Sequence, residues 1–538
     1  ILQRAPADRL PAFRTLALSA ICGAMLAAPV VLPFALFVRL GERFARVASE
    51  PGLAAAPRPT LDNIEAFVLP AHFWVSRTTE PVDNFNEVAT GYAGLASLAL
   101  FLVAALTGAK RTRFWLLLFV VLLGFAFRFT VVTAVLSNLP LLGSVLHGRI
   151  RFALAFVLAV VAAHVLDSGA SVRMTRAVAG SLSAIVLLVT FFQWGRHSIE
   201  GTSIVVLASA TAAILATGLL AVPRLRAWMP LLLFADLAVV GMTYHPPVSR
   251  DLFYPTTPGL ASVTSRLGPT RMLGLEGAFA PNTGAMVGLE DAGVHDPMSF
   301  EAYCSLLAAG GYDRREYFNR FHRLPPAVLL DFLGVSRIVT PPGALRTSMP
   351  VLYRGPDANV IANPRAMPRW FVPGAAVAGS LQSDSDARRV HLVDPESVRV
   401  SPATVVPERY GRNDEVIHVT AERETFLATS EVGLPGWRLQ RNGQSWPLLE
   451  VNGVFLGWRV PAGESRFALS YVPRGLAAGV GSAVAGGLLL ALLALSGRRT
   501  MARHASHPAS ARGRPASREP SFPEGNTLPL ASRLAFLL

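Results

Sequence analysis

The chain has 538 residues, of which 52% are hydrophobic and only 16% are charged, whereas roughly a quarter of the residues in an average soluble domain are charged. This composition excludes an ordinary soluble enzyme. The formal net charge of +14 would by itself suit a nucleic-acid-binding protein, but the apolar content favours a membrane protein that binds no nucleic acid.

Eight segments are apolar and long enough to be transmembrane helices, since roughly 20 such residues cross the hydrocarbon core of a bilayer. Arg128 interrupts the third segment, which we therefore expect to be a broken helix whose second part, 129–136, lies at the membrane interface. The predicted spans are 15–40, 91–108, 114–136, 152–168, 177–194, 202–222, 227–243 and 475–495.

Arginine and lysine in the loops predict the orientation, because positive residues are retained on the cytoplasmic side. With a cytoplasmic amino terminus, the cytoplasmic segments are 1–14, 109–113, 169–176, 223–226 and the tail from 497. These segments carry the entire net charge of +14. The basic excess therefore indicates topology and not a ligand.

The spans separate a membrane part from a large extracytoplasmic part. The predicted fold class is a polytopic α-helical membrane protein of about eight transmembrane helices, with a large extracytoplasmic α/β plus antiparallel β-sandwich-like domain. The predicted regions are a seven-helix membrane domain (1–243) with an outer loop (41–90), an α/β region (244–397), a β-domain (398–472), a last span (473–496) and a disordered basic cytoplasmic tail (497–538).

Short alternating runs bounded by turns predict the strands of the β-domain. Asn442-Gly443 supplies the positive φ angles of a tight hairpin turn, and Phe467, Leu469 and Tyr471 share one face of the last strand, which predicts one buried side. The candidate strands are 415–420, 426–432, 437–440, 448–450, 454–460 and 466–471.

Short motifs follow one another in the order of a known bacterial membrane protein family. In the carboxy-terminal part they are Leu434-Pro435-Gly436-Trp437, Asn442-Gly443, Asn452-Gly453-Val454-Phe455, Pro461-Ala462-Gly463 and Tyr471-Val472-Pro473. Upstream they are Leu32-Pro33, Asn84-Phe85-Asn86-Glu87, Arg149-Ile150-Arg151-Phe152, Ala235-Asp236-Leu237, Pro281-Asn282-Thr283, Gly288-Leu289, His295-Asp296-Pro297 and Phe332-Leu333-Gly334-Val335. Up to about residue 496 the chain thus resembles the YfhO-type membrane proteins.

The resemblance implies a GT-C-like glycosyltransferase of the bacterial cytoplasmic membrane. Such enzymes take a sugar from a polyprenyl-phosphate carrier and attach it to an envelope glycopolymer or glycolipid outside the membrane. The family usually begins with further spans and an acidic outer loop that holds the catalytic carboxylate, so we expect this chain to lack the N-terminal part of that architecture. The family often has a tyrosine where this chain has Leu434.

A lipid phosphate is predicted to bind at the outer mouth of the fourth span. Arg149 and Arg151 lie there beside His147, and a guanidinium fork fits phosphate oxygens. The alternative is that these interfacial arginines extend to the headgroups or pair with a neighbouring carboxylate.

Two opposite charges, Arg128 and Asp236, fall within predicted spans. Ionisable groups at membrane depth are costly and suggest function. We favour a structural role, either as a pair or with Asp236 accepting hydrogen bonds from helix ends, because catalysis in the GT-C class takes place at the outer surface.

Acidic residues and a histidine in the predicted outer loop could supply a general base or ligate a divalent cation. Their irregular spacing matches no metal motif, so a solvated loop is the favoured interpretation, and no metal site or cofactor is identified. These weak catalytic candidates are Asp62, Glu65, His72, Asp83 and Glu87.

Three tryptophans of the β-domain, Trp437, Trp446 and Trp458, could stack on sugar rings. Large aromatic residues in a small β-domain more often belong to its core, which we favour. Two functions stay open, the glycosyltransferase and a non-catalytic membrane protein that binds or assembles envelope polymers. A transporter is a weaker third hypothesis, because the spans show no internal repeat.

Overall fold

The computed structural model describes residues 6–42, 44–45, 67–68 and 91–505, with internal gaps. The gaps are 109, 128, 137–149, 169–170, 197–201, 221, 245–248, 253–254, 265–268, 296–298, 314–319, 344–346 and 382–385. Contacts divide the chain into two compact units. Unit 1 comprises Ile1–Ala48 and Arg250–Ala509, and unit 2 comprises Ser49–Ser249 and Ser510–Leu538.

The helices fall in both units. They are α1 (Pro6–Val38), α2 (Leu95–Thr107), α3 (Arg113–Ala126), α4 (Thr130–Leu136), α5 (Arg151–Asp167), α6 (Val172–Arg196), α7 (Thr202–Leu220), α8 (Met229–Tyr244), α9 (Pro258–Thr264), α10 (Glu301–Ala309), α11 (Ala327–Phe332) and α12 (Leu476–Ala505).

All the described strands belong to unit 1. The first ten are β1 (Arg271–Gly274), β2 (Glu290–Asp291), β3 (Tyr312–Asp313), β4 (Arg320–Phe321), β5 (Val335–Thr340), β6 (Val351–Arg354), β7 (Asn359–Ala362), β8 (Trp370–Phe371), β9 (Ala375–Val377) and β10 (Arg389–His391). The others are β11 (Ala403–Tyr410), β12 (Asp414–Ala421), β13 (Thr425–Val432), β14 (Trp437–Arg441), β15 (Gln444–Trp446), β16 (Leu449–Val451), β17 (Phe455–Val460) and β18 (Gly463–Tyr471).

Three helices are long and apolar enough to cross a membrane: Leu10–Val38 in α1, Val172–Phe191 in α6 and Leu476–Leu495 in α12. The other five predicted spans are helical as well, but their described apolar stretches fall short of that length. The third of the eight predicted spans, 114–136, is broken between α3 and α4, as the interruption at Arg128 predicts.

In unit 1, α1 and α12 pack against each other as an antiparallel pair of helices, which we call the hairpin although the two helices are far apart in sequence. A Cβ on Gly475 would lie 3.1 Å from Leu36, a Cβ on Gly479 only 2.6 Å from the Ala28 carbonyl oxygen, and a Cβ on Gly486 2.8 Å from the Met25 Cβ. The glycines therefore allow close helix packing.

The polar domain, residues 250–472, is attached to the end of α1. The Glu42 N–H donates to the Ser299 carbonyl (2.7 Å), and the Glu301 N–H at the start of α10 donates to the Leu40 carbonyl (2.9 Å). At the other end, β18 runs into α12 through a short connection in which the Val472 N–H donates to a carbonyl at 436 (3.1 Å). Both connections lie at the same end of the hairpin.

The polar domain has three layers of sheet. A mixed sheet has the order β2-β1-β5-β7-β6, and two antiparallel sheets with the orders β11-β12-β18-β14-β15 and β16-β17-β13-β8 form a sandwich. Leu427 and Trp458 face the core between the two antiparallel sheets. Phe426 and Phe455 face the opposite side, where they pack with α10, α11 and the mixed sheet. The polar domain therefore has a continuous interior, and β13 is buried on both faces.

The structure confirms the predicted β-sheets, and the six predicted strands lie within a few residues of β12, β13, β14, β16, β17 and β18. Strands β11 and β15 were not predicted, and β8, which falls in the predicted α/β region, belongs to the sandwich. Asn442 and Gly443 have φ angles of 48° and 85° and join β14 to β15. Phe467 and Leu469 are buried on one face of β18. The last helix extends to Ala505, into the predicted disordered tail, and residues 506–538 lie outside the described residues.

Candidate functional site

A group of charged side chains lies where the mixed sheet meets the sandwich in unit 1. We call it the Arg369 cluster. Its members come from separate elements: Arg271 from β1, Glu290 from β2, Arg369 from the residue before β8, Tyr410 from the end of β11 and Glu431 from β13.

Arg369 is the central cation, with a side chain that is only 1% exposed. Its guanidinium lies 3.0 Å from the Glu431 carboxylate, pairs with Glu290 and donates to the Tyr410 hydroxyl at 3.0 Å. Tyr410 in turn donates to Glu290. Because a buried charge needs partners to offset its desolvation, these contacts fix one arrangement of four separate segments.

Arg271 links the same strands through neutral groups. Its guanidinium donates to the Leu333 carbonyl, the Ser430 hydroxyl and the Ser430 carbonyl, each at 2.8 Å, and lies 3.8 Å from Glu431. These contacts hold β13 against the mixed sheet.

Glu415 is a buried carboxyl group beside the cluster. It accepts a hydrogen bond from the Trp370 indole N–H (2.8 Å). Burial, together with the nearby charge of Glu431, raises the pKa of Glu415 to about 8. The carboxylates of Glu290 and Glu431 lie within ion-pair distance of the cluster arginines.

Asp291 follows Glu290 on β2 and is held by the loop 281–295, which contains family-like motifs. The Gly293 N–H donates to Asp291 Oδ1 (2.8 Å), while Oδ2 is buried with no hydrogen-bond partner in the part of the chain that the structure describes. Asn282 adopts the left-handed conformation (φ 72°) and its amide donates to the His295 carbonyl (2.6 Å). Burial raises the pKa of Asp291 to about 7.

Two carboxyl groups of this region, those of Asp291 and Glu415, can bind and release protons near neutral pH. General acids and bases work best when their pKa is close to the working pH, and Asp291 and Glu415 meet that condition. Because Asp291 Oδ2 is buried, a substrate could reach it only if the loop 281–295 moved. No group of three or more potential metal ligands occurs among the described residues.

Most residues predicted to act in catalysis or lipid binding lie outside the described residues. They are Asp62, Glu65, His72, Asp83, Glu87, His147 and Arg149, together with the intramembrane Arg128.

Arg151 is described and is the first residue of α5 in unit 2. It is 4% exposed, and its guanidinium lies over the Phe127 ring, 4.7 Å from the ring centre. A cation on an aromatic face is stabilised by the ring quadrupole. Its assignment as a lipid-phosphate ligand stays a prediction.

Asp236 on α8 is fully buried within unit 2. Both of its carboxylate oxygens lie 2.8 Å from the Tyr92 hydroxyl, which donates to them. The carboxylate therefore joins α8 to a residue three positions before α2, and the predicted capping of a helix end by Asp236 stays a prediction.

The three tryptophans contribute to the core of the sandwich. Trp458 is fully buried, so it has no face on which a sugar could stack. Trp437 and Trp446 are half-buried and donate to the Val432 (3.0 Å) and Arg459 (2.8 Å) carbonyls. The favoured interpretation as core residues fits all three.

The Arg369 cluster was not anticipated from the sequence, although the family-like motifs border it. Glu290 directly follows the Gly288-Leu289 motif. This motif was the only feature of the sequence near Glu290 that drew attention to this region. No protein-family model, curated protein or solved structure matches the chain. The resemblance to YfhO-type proteins therefore rests on the sequence motifs alone.

Proposed function

We propose that the chain is an integral membrane protein of the bacterial envelope that acts as a GT-C-like glycosyltransferase. It would cross the cytoplasmic membrane about eight times, with its polar domain outside and its tail in the cytoplasm. It would take a sugar from a polyprenyl-phosphate carrier and transfer it to an envelope glycopolymer or glycolipid.

The observation that carries this proposal is the attachment of the polar domain to the α1–α12 hairpin. Large apolar side chains cover the outside of the hairpin, for example Val30 (74% exposed), Phe34, Val484 and Leu488. Such a surface is stable in lipid but not in water. With both connections at one end of the hairpin, the polar domain would stand at the membrane surface, where a lipid-linked donor presents its sugar.

The roles follow from this placement. Arg149, Arg151 and His147 would hold the carrier phosphate. No residue of the chain is assigned as the base that activates the acceptor hydroxyl, because a solvated loop is the favoured interpretation for the carboxylates of the loop 41–90. The polar domain would position the acceptor. The proposal assigns no divalent cation. Adding a chelator tests whether one is required, because removal of a required cation would abolish sugar transfer.

A non-catalytic role in envelope polymer assembly is the second candidate. It is favoured by the Arg369 cluster, in which the charged groups pair with one another inside the domain and so resemble structural connections. In this role the chain would bind lipid-linked polymer without transferring sugar.

The deciding experiment uses the full-length protein in lipid nanodiscs with a radiolabelled polyprenyl-phosphate hexose and isolated envelope polymer. We expect labelled polymer from the wild-type protein. Replacing Asp62, Glu65, Asp83 and Glu87 one at a time by the corresponding amide tests whether any of them is the base, with Glu424→Gln on an exposed turn as the matched control. Polymer binding without transfer by the wild-type protein would instead establish the second candidate.

A further inference from the structure

Two arginines lie where the hairpin of unit 1 meets the polar domain. We call this region the neck and define it as residues 36–42 and 471–476. Arg39 directly follows the apolar segment that ends at Val38, and Arg474 lies two residues before the segment that begins at Leu476. Both arginines are exposed.

Helical spacing places Arg39 on the side of α1 that faces α12. Leu32 and Leu36 contact the position of Gly475, and Arg39 follows them by seven and three residues, which is the spacing of one helix face. The turn continues beyond the helix, because the Leu40 N–H donates to the Phe37 carbonyl (2.9 Å). Gly475, which is next to Arg474, lies level with Leu32, so Arg39 lies roughly 10 Å farther along the helix axis. Both arginines fall within the neck, and their long side chains can extend toward each other along it.

Neither guanidinium has an ion-pair or hydrogen-bond partner within the described ranges 6–42 and 91–505. The carboxylate nearest in sequence to Arg39 is Glu42, which is buried at 4% exposure. Two exposed cations without a protein anion contrast with Arg369, which is balanced by carboxylates. The neck therefore has an unbalanced positive charge.

The surroundings of the neck match the boundary of a bilayer. On one side lie the exposed apolar side chains of the hairpin, such as Leu36 and Val480. On the other side Trp437 and Tyr471 pack together, with ring centres 5.3 Å apart. Aromatic residues with a polar edge concentrate at the depth of lipid headgroups.

We propose that Arg39 and Arg474 together bind the phosphate group of a lipid at the neck. Guanidinium groups suit phosphate oxygens in charge and geometry, and a lipid would lay its acyl or prenyl chain along the apolar hairpin. Either an anionic phospholipid or a polyprenyl phosphate carries this chemistry. The inference rests on the membrane insertion in the proposed function, but not on sugar transfer.

The test compares the full-length wild-type protein with Arg39→Gln/Arg474→Gln in phosphatidylcholine nanodiscs that contain phosphatidylglycerol or a polyprenyl monophosphate. Native mass spectrometry measures the retained lipid. Each basic residue near an anionic surface contributes about fivefold in affinity, so we expect the double variant to bind phosphate-bearing lipid about 25-fold more weakly. Preference for one probe in competition identifies the source of the phosphate.

Arg423→Gln is the matched control. Arg423 is exposed in the turn after β12, at the end of the sandwich away from the neck, because the β12 residue Asp414 pairs with Ser470 whereas Ala421 pairs with Gly463. The control should retain wild-type lipid binding. Arg39→Lys/Arg474→Lys keeps the charge without the planar fork and should show a smaller loss than the glutamine variant.

The proposal would be overturned if the wild-type protein and the glutamine variant retained equal amounts of lipid. Binding of an acidic protein at the neck would not support the proposal in that case. If the glutamine variant failed to fold, the lysine variant would be compared with the wild type instead. The proposal would then be overturned if the lysine variant retained as much lipid as the wild type while Arg423→Gln retained less. Failure of the proposed function would look different, since sugar transfer would be absent while lipid binding still depended on Arg39 and Arg474.

Discussion

Replacing Arg369 with methionine should destabilise the polar domain by about 3 kcal/mol. Removing one partner of a buried ion pair costs roughly 3–5 kcal/mol, because an uncompensated charge stays buried. Glu431, whose side chain is 18% exposed, would keep most of this penalty. Glu290 is 41% exposed and can regain water, so we place the loss at the lower end of the range.

The measurement is urea unfolding of the full chain in detergent, followed by tryptophan fluorescence, since Trp370 and Trp458 lie in or beside the sandwich core. Arg409→Met is the matched control. Arg409 pairs with Asp414 at 2.8 Å, but the two side chains are 61% and 48% exposed. Exposed pairs contribute about 0–1 kcal/mol, so the control should unfold almost like the wild type.

A second substitution identifies the cause of the loss. In Arg369→Met/Glu431→Gln the buried carboxylate is gone, so at least half of the lost stability should return. If Arg369→Met cost no more than Arg409→Met, or if the double variant were less stable than the single one, the assignment of an uncompensated buried charge would be wrong.

Three further predictions concern other parts of the molecule. The pKa of Glu415 is about 8 in the folded chain and about 4.3 in an unfolded chain. Between these two pH values the folded state binds more protons than the unfolded state. The free energy of unfolding should therefore decrease as the pH rises from 5 to 8. Glu415→Gln should reduce that decrease in urea titrations, and an unchanged slope would contradict the assignment. Gly479→Ala should lower the melting temperature in a thermal scan, because the new Cβ would lie 2.6 Å from an α1 carbonyl oxygen. Gly481→Ala is the control, since a Cβ there has no atom within 4 Å. Equal effects of the two substitutions would argue against the hairpin. Tyr92→Phe should cost about 1–3 kcal/mol in urea unfolding because it leaves the buried Asp236 without its hydroxyl partner, and a neutral effect would contradict a structural role of this hydrogen bond.

The β-domain was predictable because one face of its outer sheet is buried and the other is exposed. In β18 the buried Phe467 and Leu469 alternate with the exposed Arg466 and the half-exposed Ala468, which is the period that the sequence shows. The turn at Asn442-Gly443 requires positive φ angles that few residue pairs adopt. Local sequence therefore determines both the strand and its turn.

Strand β13 shows where alternation is less informative. It is buried on both faces, with Phe426 toward the helices and Leu427 toward the other sheet. The sequence places the strand correctly but does not reveal which layers cover it. A buried, hydrogen-bonded Thr429 or Ser430 on this strand looks like a solvent-facing residue in the sequence alone.

The Arg369 cluster could not be predicted, because its members are separated by up to 160 residues and pair only after the sheets have packed. Glu290, Tyr410 and Glu431 have no common spacing. Long-range ion pairs leave no periodic signal, whereas a hydrogen-bond donor beside Asp236 was predictable because a lone carboxylate in an apolar segment needs donors nearby.

The two kinds of arginine in unit 1 show why composition alone cannot assign a function to the basic residues. Arg369 is buried, so desolvation requires carboxylates beside it, and its charge is offset within the fold. Arg39 and Arg474 are exposed at the end of an apolar hairpin, where no such requirement acts, and their charge is available to an external anion. Ligand-binding cations in this protein are therefore expected among the exposed arginines that lack a protein partner and lie beside an apolar surface.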